Sequence, residues 1–314
     1  MHKFEHFVCI DWSGALGERH AGIAVAMCKA GNSAPKLVRP GHRWSRMEIA
    51  DWLLEHLPAR TLAGIDLSAS MAFVDRGAFF PEWDESPETA ADLWALVERV
   101  CASDPHLSAP SFVTHEQAKR HFRRQGGLVG DLFEAGRGRL RQCEQVQAKF
   151  GLNPYSNFNL IGAAQVGKSS LTGMRVLHRV HDRLPIWPID GAKLSAQGSL
   201  LVEIYTSLAA VAAGRRRGRT KMRTYAELNE ALASPAVSSQ PVRRKGPVSD
   251  HQSDALLTSA WMRRAADDPA EPEPVRRLGL IAGTLSLRAA FVFAACLVCL
   301  TLALAPLLTR RAAL

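Results

Sequence analysis

No set of cysteines in the 314-residue chain has the spacing of a disulfide framework or of a zinc site. Cys9 and Cys28 lie inside apolar, strand-like runs, and Cys101 and Cys143 stand alone in helical stretches. Cys296 and Cys299 have CxxC spacing but sit in an unbroken apolar segment with no second pair of ligands. All six read as packing residues. The opening Met1-His2-Lys3-Phe4-Glu5-His6 also lacks the pattern of a secretory leader. Together these absences predict a reducing, cytoplasmic setting. Acid is scarce relative to base. With 39 Lys+Arg against 30 Asp+Glu, the net charge is +9 and the pI about 9.6. That balance suits a polyanionic partner, either nucleic acid or an acidic membrane surface; a solvated basic face is the alternative. The hydrophobic fraction of 47% and charged fraction of 22% are those of a globular chain able to bury a substantial core.

What is present begins as strands. Phe7-Val8-Cys9-Ile10 runs into Asp11, with a turn at Ser13-Gly14. Ala21 to Cys28 and, more weakly, Leu37 to Trp44 follow, which predicts an antiparallel meander. Ser45 and Glu48 form a capping box for a helix with Met47, Ala50, Leu54 and Leu57 on one face. A compact strand, Leu62 to Ile65, again ends in a carboxylate, Asp66. Three strands, a helix and a further strand is the opening order of the ribonuclease H-like α/β fold. Residues 68–198 read as a long, mainly helical insertion, with helices expected from Ser86-Pro87 and over His115 to Arg124. The sheet resumes with Leu200 to Tyr205. Thr224 with Glu227, and Ser249 with Gln252, then cap two more helices.

The expected domain therefore spans residues 1–266, followed by a Pro- and acid-rich linker at 267–277 and a hydrophobic C-terminal segment at 278–314. Ala289 to Leu308 is a stretch of about 20 uncharged residues, enough to cross a bilayer. A transmembrane anchor to the inner membrane is the expectation for it, with an extra core helix as the alternative.

Hydrolysis of a phosphodiester with divalent metal ions needs carboxylates converging on one spot, because hard cations take oxygen ligands. Asp11 and Asp66 end two apolar strands. Either alone would be an ordinary turn residue; the two in this strand order point to a metal site. Asp250 and Asp254 are four apart on one helical face. Asp250 in the first turn suits the helix dipole, but Asp254 borders the apolar face of Leu257 and Trp261 and needs a partner. Glu203 interrupts the strand Leu201 to Tyr205, opposite in phase to Val202 and Ile204, and points either to the metal or to solvent. Asp11, Asp66, Glu203 and Asp254 are thus the candidate catalytic residues. Asp11, Asp66, Asp250 and Asp254 are the candidate ligands for Mg2+ or Mn2+.

Four blocks, Val8 to Ala15, Gly64 to Leu67, Val202 to Tyr205 and Asp250 to Leu256, resemble the signature of a bacterial domain-of-unknown-function family described as predicted nucleases of the RNase H fold. The last block is also similar to the final helix of RuvC-type Holliday junction resolvases, where an Asp or His and a following Asp bind metal. The resemblance spans about Phe7 to Arg264 and implies both fold and activity. The hydrophobic tail departs from the family pattern.

A competing signal is Gly162-Ala163-Ala164-Gln165-Val166-Gly167-Lys168-Ser169, which matches the phosphate-binding pattern GxxxxGK[ST]. Gly173 falls early in the helix that would follow, and no later apolar strand ends in Asp, so a nucleotide-binding ATPase is the second reading. In either case Lys168 is placed to contact substrate phosphates. Basic runs at Lys119 to Arg124, Arg137 to Arg141, Arg215 to Arg223 and Arg243 to Lys245 suit a nucleic-acid groove. The run containing Arg215, Arg216 and Arg217 is favoured, since it lies between the Glu203 strand and the Asp254 helix. The expectation is a metal-dependent nuclease. A non-catalytic, membrane-tethered nucleic-acid binder is the third reading.

Overall fold

The computed structural model describes residues 4–149, 152–162, 166–193, 198–216 and 220–267. The expected linker and hydrophobic C-terminal segment lie outside the described residues, apart from Asp267 at the end of the last helix. Among the described residues, no helix is long and apolar enough to cross a membrane.

In chain order the elements are β1 (His6–Asp11), β2 (Arg19–His20), β3 (Ala24–Lys29), β4 (Lys36–Leu37), β5 (Trp44–Ser45), α1 (Arg46–Glu55), β6 (Thr61–Ile65), α2 (Ala90–Val100), α3 (Pro110–Thr114), α4 (Gln142–Lys149), α5 (Val166–Val180), β7 (Ile186–Trp187), β8 (Leu200–Glu203), α6 (Thr206–Ala212), α7 (Tyr225–Ala233) and α8 (Asp250–Asp267). Six strands form one mixed sheet in the order β4-β3-β1-β6-β8-β7. β1 is antiparallel to β3 and parallel to β6, while β8 is parallel to both β6 and β7.

Alternation divides the sheet into two buried faces. Val8, Ile10, Ala63, Ile65 and Leu201 face a core completed by Ile49 and Leu53 of α1, Trp94 and Val97 of α2, and Leu171, Met174 and Leu177 of α5. Phe7, Cys9, Ala26, Leu62 and Val202 face the other side, which is covered by Leu228 and Leu232 of α7 and by Ala255, Leu256 and Trp261 of α8. Burial on both faces explains why β1 and β6 read as continuous apolar runs. Small residues let α8 come close. A Cβ at Gly64 would lie 2.7 Å from Ile204 Cγ2 and 2.8 Å from Met262 Sδ, so glycine there leaves room for a side chain from β8's end and one from α8.

Both capping boxes form, Ser45 with Glu48 and Thr224 with Glu227, and Ser249 Oγ accepts from Gln252 N at 3.2 Å. The Leu37–Trp44 strand does not. β4 is a two-residue edge on β3, and β5 pairs instead with β2 in a separate two-stranded sheet, because Gly41 turns the chain away between them. α2 starts at Ala90 with Thr89 as its cap rather than at Ser86-Pro87. The basic stretch His115 to Arg124 forms only short turns, in which His121 and Phe122 are buried. Residues 68–198 are also more than an insertion, since they supply α5 to one face of the sheet and β7 to its edge.

Gly14, just past β1, is pressed against the first turn of α5. A Cβ there would lie 2.4 Å from Ser169 N, while the neighbouring Trp12 Nε1 donates to Ser169 O at 3.1 Å and Thr172 Oγ1 at 3.2 Å. Gly14→Ala is expected to destabilise the fold by about 1–3 kcal/mol through overpacking. The readout is a lower urea midpoint at unchanged m value; an unmoved midpoint would show that this contact yields freely.

Candidate active site

The parallel register aligns Ile10 with Ile65, so the residues that follow, Asp11 and Asp66, leave the sheet side by side at its carboxyl edge. Asp66 N donates to Ile10 O at 2.9 Å, which holds the two strand ends together. Both side chains fall on the face covered by α8, since Asp11 shares the phase of Cys9 and Asp66 that of Gly64. α8 begins over this edge. Its first turns present His251, whose Nδ1 lies 3.3 Å from Asp11 Oδ1, and the buried Asp254. Thr206, at the start of α6, donates to Asp66 Oδ2 at 2.8 Å.

These carboxylates are close enough to repel one another. Burial raises the Asp66 carboxyl to about 8, aided by the charges of Asp11 and Asp254 and opposed by the Thr206 hydroxyl. Burial raises Asp254 to about 6; Lys221 opposes that shift and Asp11 adds to it. Asp11 is raised by burial against the pull of His251. Cys9, beneath them in β1, is raised first by burial and then by the charges of Asp11, Asp66 and Asp254. Three buried carboxylates cannot all ionise here without a cation or a proton to relieve them.

One cation is already supplied by the chain. Lys221 Nζ donates to Asp254 Oδ2 at 2.5 Å and is within electrostatic reach of Asp11, Asp66 and Asp250 as well. The imidazole of His251 is held toward its charged form, chiefly by its bond to Asp11. Neither Lys221 nor the pairing of His251 with Asp11 follows from sequence spacing. Lys221 lies about 30 residues before α8 in an irregular stretch, and its one sequence signal is membership of the Arg215 to Arg223 basic run.

As ligands for a hard divalent cation, Asp11, Asp66 and Asp254 fit in chemical type and in placement on one side of the sheet. Their raised pKa values are what an uncompensated cation site would show. Among the described residues, no three acidic, histidine or cysteine side chains already stand close enough to hold a single ion, and Lys221 leans on Asp254. Asp250 is half-buried beside the cluster, at the helix start.

Glu203 does not join this group. Its partner in register is Ile65, so its side chain emerges on the opposite face from Asp66. There it accepts from Arg141 at 2.7 and 2.8 Å and from Ala69 N at 2.8 Å. The basic runs are similarly committed. Arg139 is buried against Asp75, Arg141 against Glu144 and Glu203, and Arg120 bonds Asp131 and Glu82. Arg215 pairs with Glu227 and donates to Lys221 O, so it braces the loop that carries Lys221. Arg216 is exposed, as are Arg243 to Lys245, and Arg217 lies outside the described residues.

Lys168 sits in the first turn of α5, with its backbone against Gly14. The segment before that helix is not a strand of the main sheet; Asn159 makes only an isolated bridge to Arg123. Gly167 is explained by packing, since a Cβ there would lie 2.1 Å from Asn157 O.

No family model, curated protein or solved structure matches the chain. What the site can do is set by its own geometry and chemistry.

A carboxyl whose folded-state pKa exceeds its unfolded one keeps an extra proton in the native state. The stability that proton brings is full below about pH 4 and is lost as pH rises through the folded pKa. For Asp254 and Asp66 that loss runs through about 6 and about 8. In a chelator, thermal stability is expected to fall between pH 5 and pH 8.5, on the order of a few kcal/mol. Asp66→Asn, which cannot ionise, should flatten most of the slope, and an equally steep profile in that variant would refute the assignment.

Proposed function

We propose that the protein is a metal-dependent nuclease on a ribonuclease H-like core, hydrolysing phosphodiester bonds in nucleic acid. The observation that carries this is the pair Asp11 and Asp66 at adjacent parallel strand ends, closed over by Asp254 on the final helix. The sheet order supports the fold reading: a short edge strand and an antiparallel strand lead into β1, with parallel β6 and β8 on its other side. Ligands of open α/β sheets sit at such carboxyl edges.

Asp11, Asp66 and Asp254 would hold one or two magnesium or manganese ions, which supply Lewis-acid stabilisation of the charge developing on the phosphate. The protein's own groups do the rest. Thr206 fixes the Asp66 carboxylate in one rotamer through its hydroxyl. His251, half-buried at the mouth and held toward its charged form by Asp11, can give a proton to the departing oxygen and recover one from solvent water. Lys221 offsets the negative charge of the cluster and adds a donor for phosphate oxygens. Lys168, whose backbone packs against Gly14 three residues past Asp11, would pair with the backbone of a bound strand. That position favours a strand contact over the nucleotide-binding reading, which lacks its preceding sheet strand.

On a panel of DNA and RNA substrates with magnesium or manganese, the wild type is expected to cleave. Asp11→Asn should lose at least about a hundredfold in rate, since several kcal/mol of charge stabilisation depend on it. Cleavage at the wild-type rate in Asp11→Asn would overturn the proposal. Lys168→Ala should raise the Michaelis constant for nucleic acid and leave ATP affinity unchanged; a selective loss of ATP binding would instead favour the ATPase reading.

A further inference from the structure

Beyond the acidic edge, the same loop opens into a second feature. The residues after Asp66 turn over the lip of the sheet, and by Ala69 the chain lines a cavity of about 440 Å³ on the opposite face. This size is within the range of small-molecule sites, about 300–1,000 Å³. The chain between Asp66 and Ala69 can span no more than about 11 Å, so the cavity lies within one nucleotide's reach of the candidate active site.

Its construction is specific. Phe73, Phe79 and Trp187 contribute aromatic walls, with Phe73 and Phe79 packed edge to face at 4.8 Å between centroids. The floor is polar and fixed. Glu203 receives both terminal nitrogens of Arg141 and the Ala69 amide, and Arg141 is pinned further by Glu144 and by Ser68 Oγ. The charged residues lining the cavity are Asp75, Glu88 and Glu203 against Arg141, and with Arg139 paired to Asp75 the lining stays on the negative side of neutral. A carboxylate has about four acceptor positions, and the contacts to Arg141 and Ala69 use three of those on Glu203. The rim is open, since Val74 is 67% exposed and Gln145 is also exposed.

We infer that this cavity is a nucleobase pocket that receives an unstacked base of the substrate, with preference for a base carrying an exocyclic amino group. The inference rests on the nuclease reading for its substrate, and on the cavity alone for its site. Flat aromatic walls favour a planar ring. A floor with acceptor capacity and excess negative charge favours an N–H donor such as the cytosine amine. A base lodged there leaves its own phosphate at the lip, toward Asp66, which turns an exposed strand end into a site selective for unpaired nucleotides. Glu203, a candidate catalytic residue on its sequence, is thereby assigned to base recognition.

The test is calorimetric titration of the full chain with CMP and with UMP in the presence of a chelator, so that binding is separated from cleavage. The wild type is expected to bind CMP saturably with a dissociation constant at or below about 1 mM, and UMP at least about fivefold more weakly. Val74→Trp and Gln145→Trp, both at the exposed rim, should each fold and weaken CMP by about tenfold. Absence of saturable binding, equal affinity for UMP, or unchanged affinity in both rim variants would each overturn the pocket. Asp66→Asn should lose cleavage and keep CMP binding. A protein that cleaves but does not bind CMP refutes this inference alone, whereas undiminished cleavage in Asp11→Asn refutes the nuclease reading.

Discussion

The parallel pairing of β1 with β6 places two carboxylates next to each other at the edge of a buried sheet, and much of the molecule can be understood as accommodating that placement. Two ionised groups on adjacent strand ends, Asp11 buried and Asp66 largely so, oppose folding. The surroundings offset part of the cost with a hydroxyl from α6, an imidazole from α8 and an ammonium from the loop before α7. The remainder appears as raised carboxyl pKa values. Stability is lost locally at this acidic edge and recovered in the two apolar layers that close both faces of the sheet.

Position within the sheet also separates two kinds of acid. Asp66 and Glu203 lie on neighbouring strands, only a short way apart, yet a difference of one residue in phase sends them to opposite faces. Asp66 meets other aspartates and an amine. Glu203 meets a guanidinium that neutralises it and holds it still. The same residue class thus yields a strained, proton-holding group on one face and a rigid hydrogen-bonding floor on the other.

The strand ends at Asp11 and Asp66, the capped helices at Ser45, Thr224 and Ser249, and the shared face of Asp250 and Asp254 were all legible in the sequence, because each depends on a short, periodic pattern. Glu203 was legible as anomalous but not as to its partner. Its alternation was read correctly, while Arg141 lies 62 residues away and comes from a stretch with no periodicity. The run Arg137 to Arg141 was opaque for the same reason, since charge in a sequence does not show whether Arg139 and Arg141 face solvent or a buried carboxylate. Thr206 carries no local signal of a role, and Lys221 only its place in a basic run. Their importance arises when tertiary packing brings the loop before α7 and the start of α6 to the strand edge. β7 and α5 were absorbed into an expected insertion because two-residue strands fall below any pattern, and Gly173 made a good helix look poor. Gly173 is explained by Leu67, whose side chain leaves no room there for a Cβ.

Lys221 is half-exposed on an irregular loop, yet its tip rests on a buried aspartate. A permanent counter-ion attached to the chain has an effective local concentration no dissolved cation matches at low abundance. The acidic edge is therefore partly neutralised from a loop rather than from the sheet that builds it, and anything that moves that loop changes the charge balance at the strand ends.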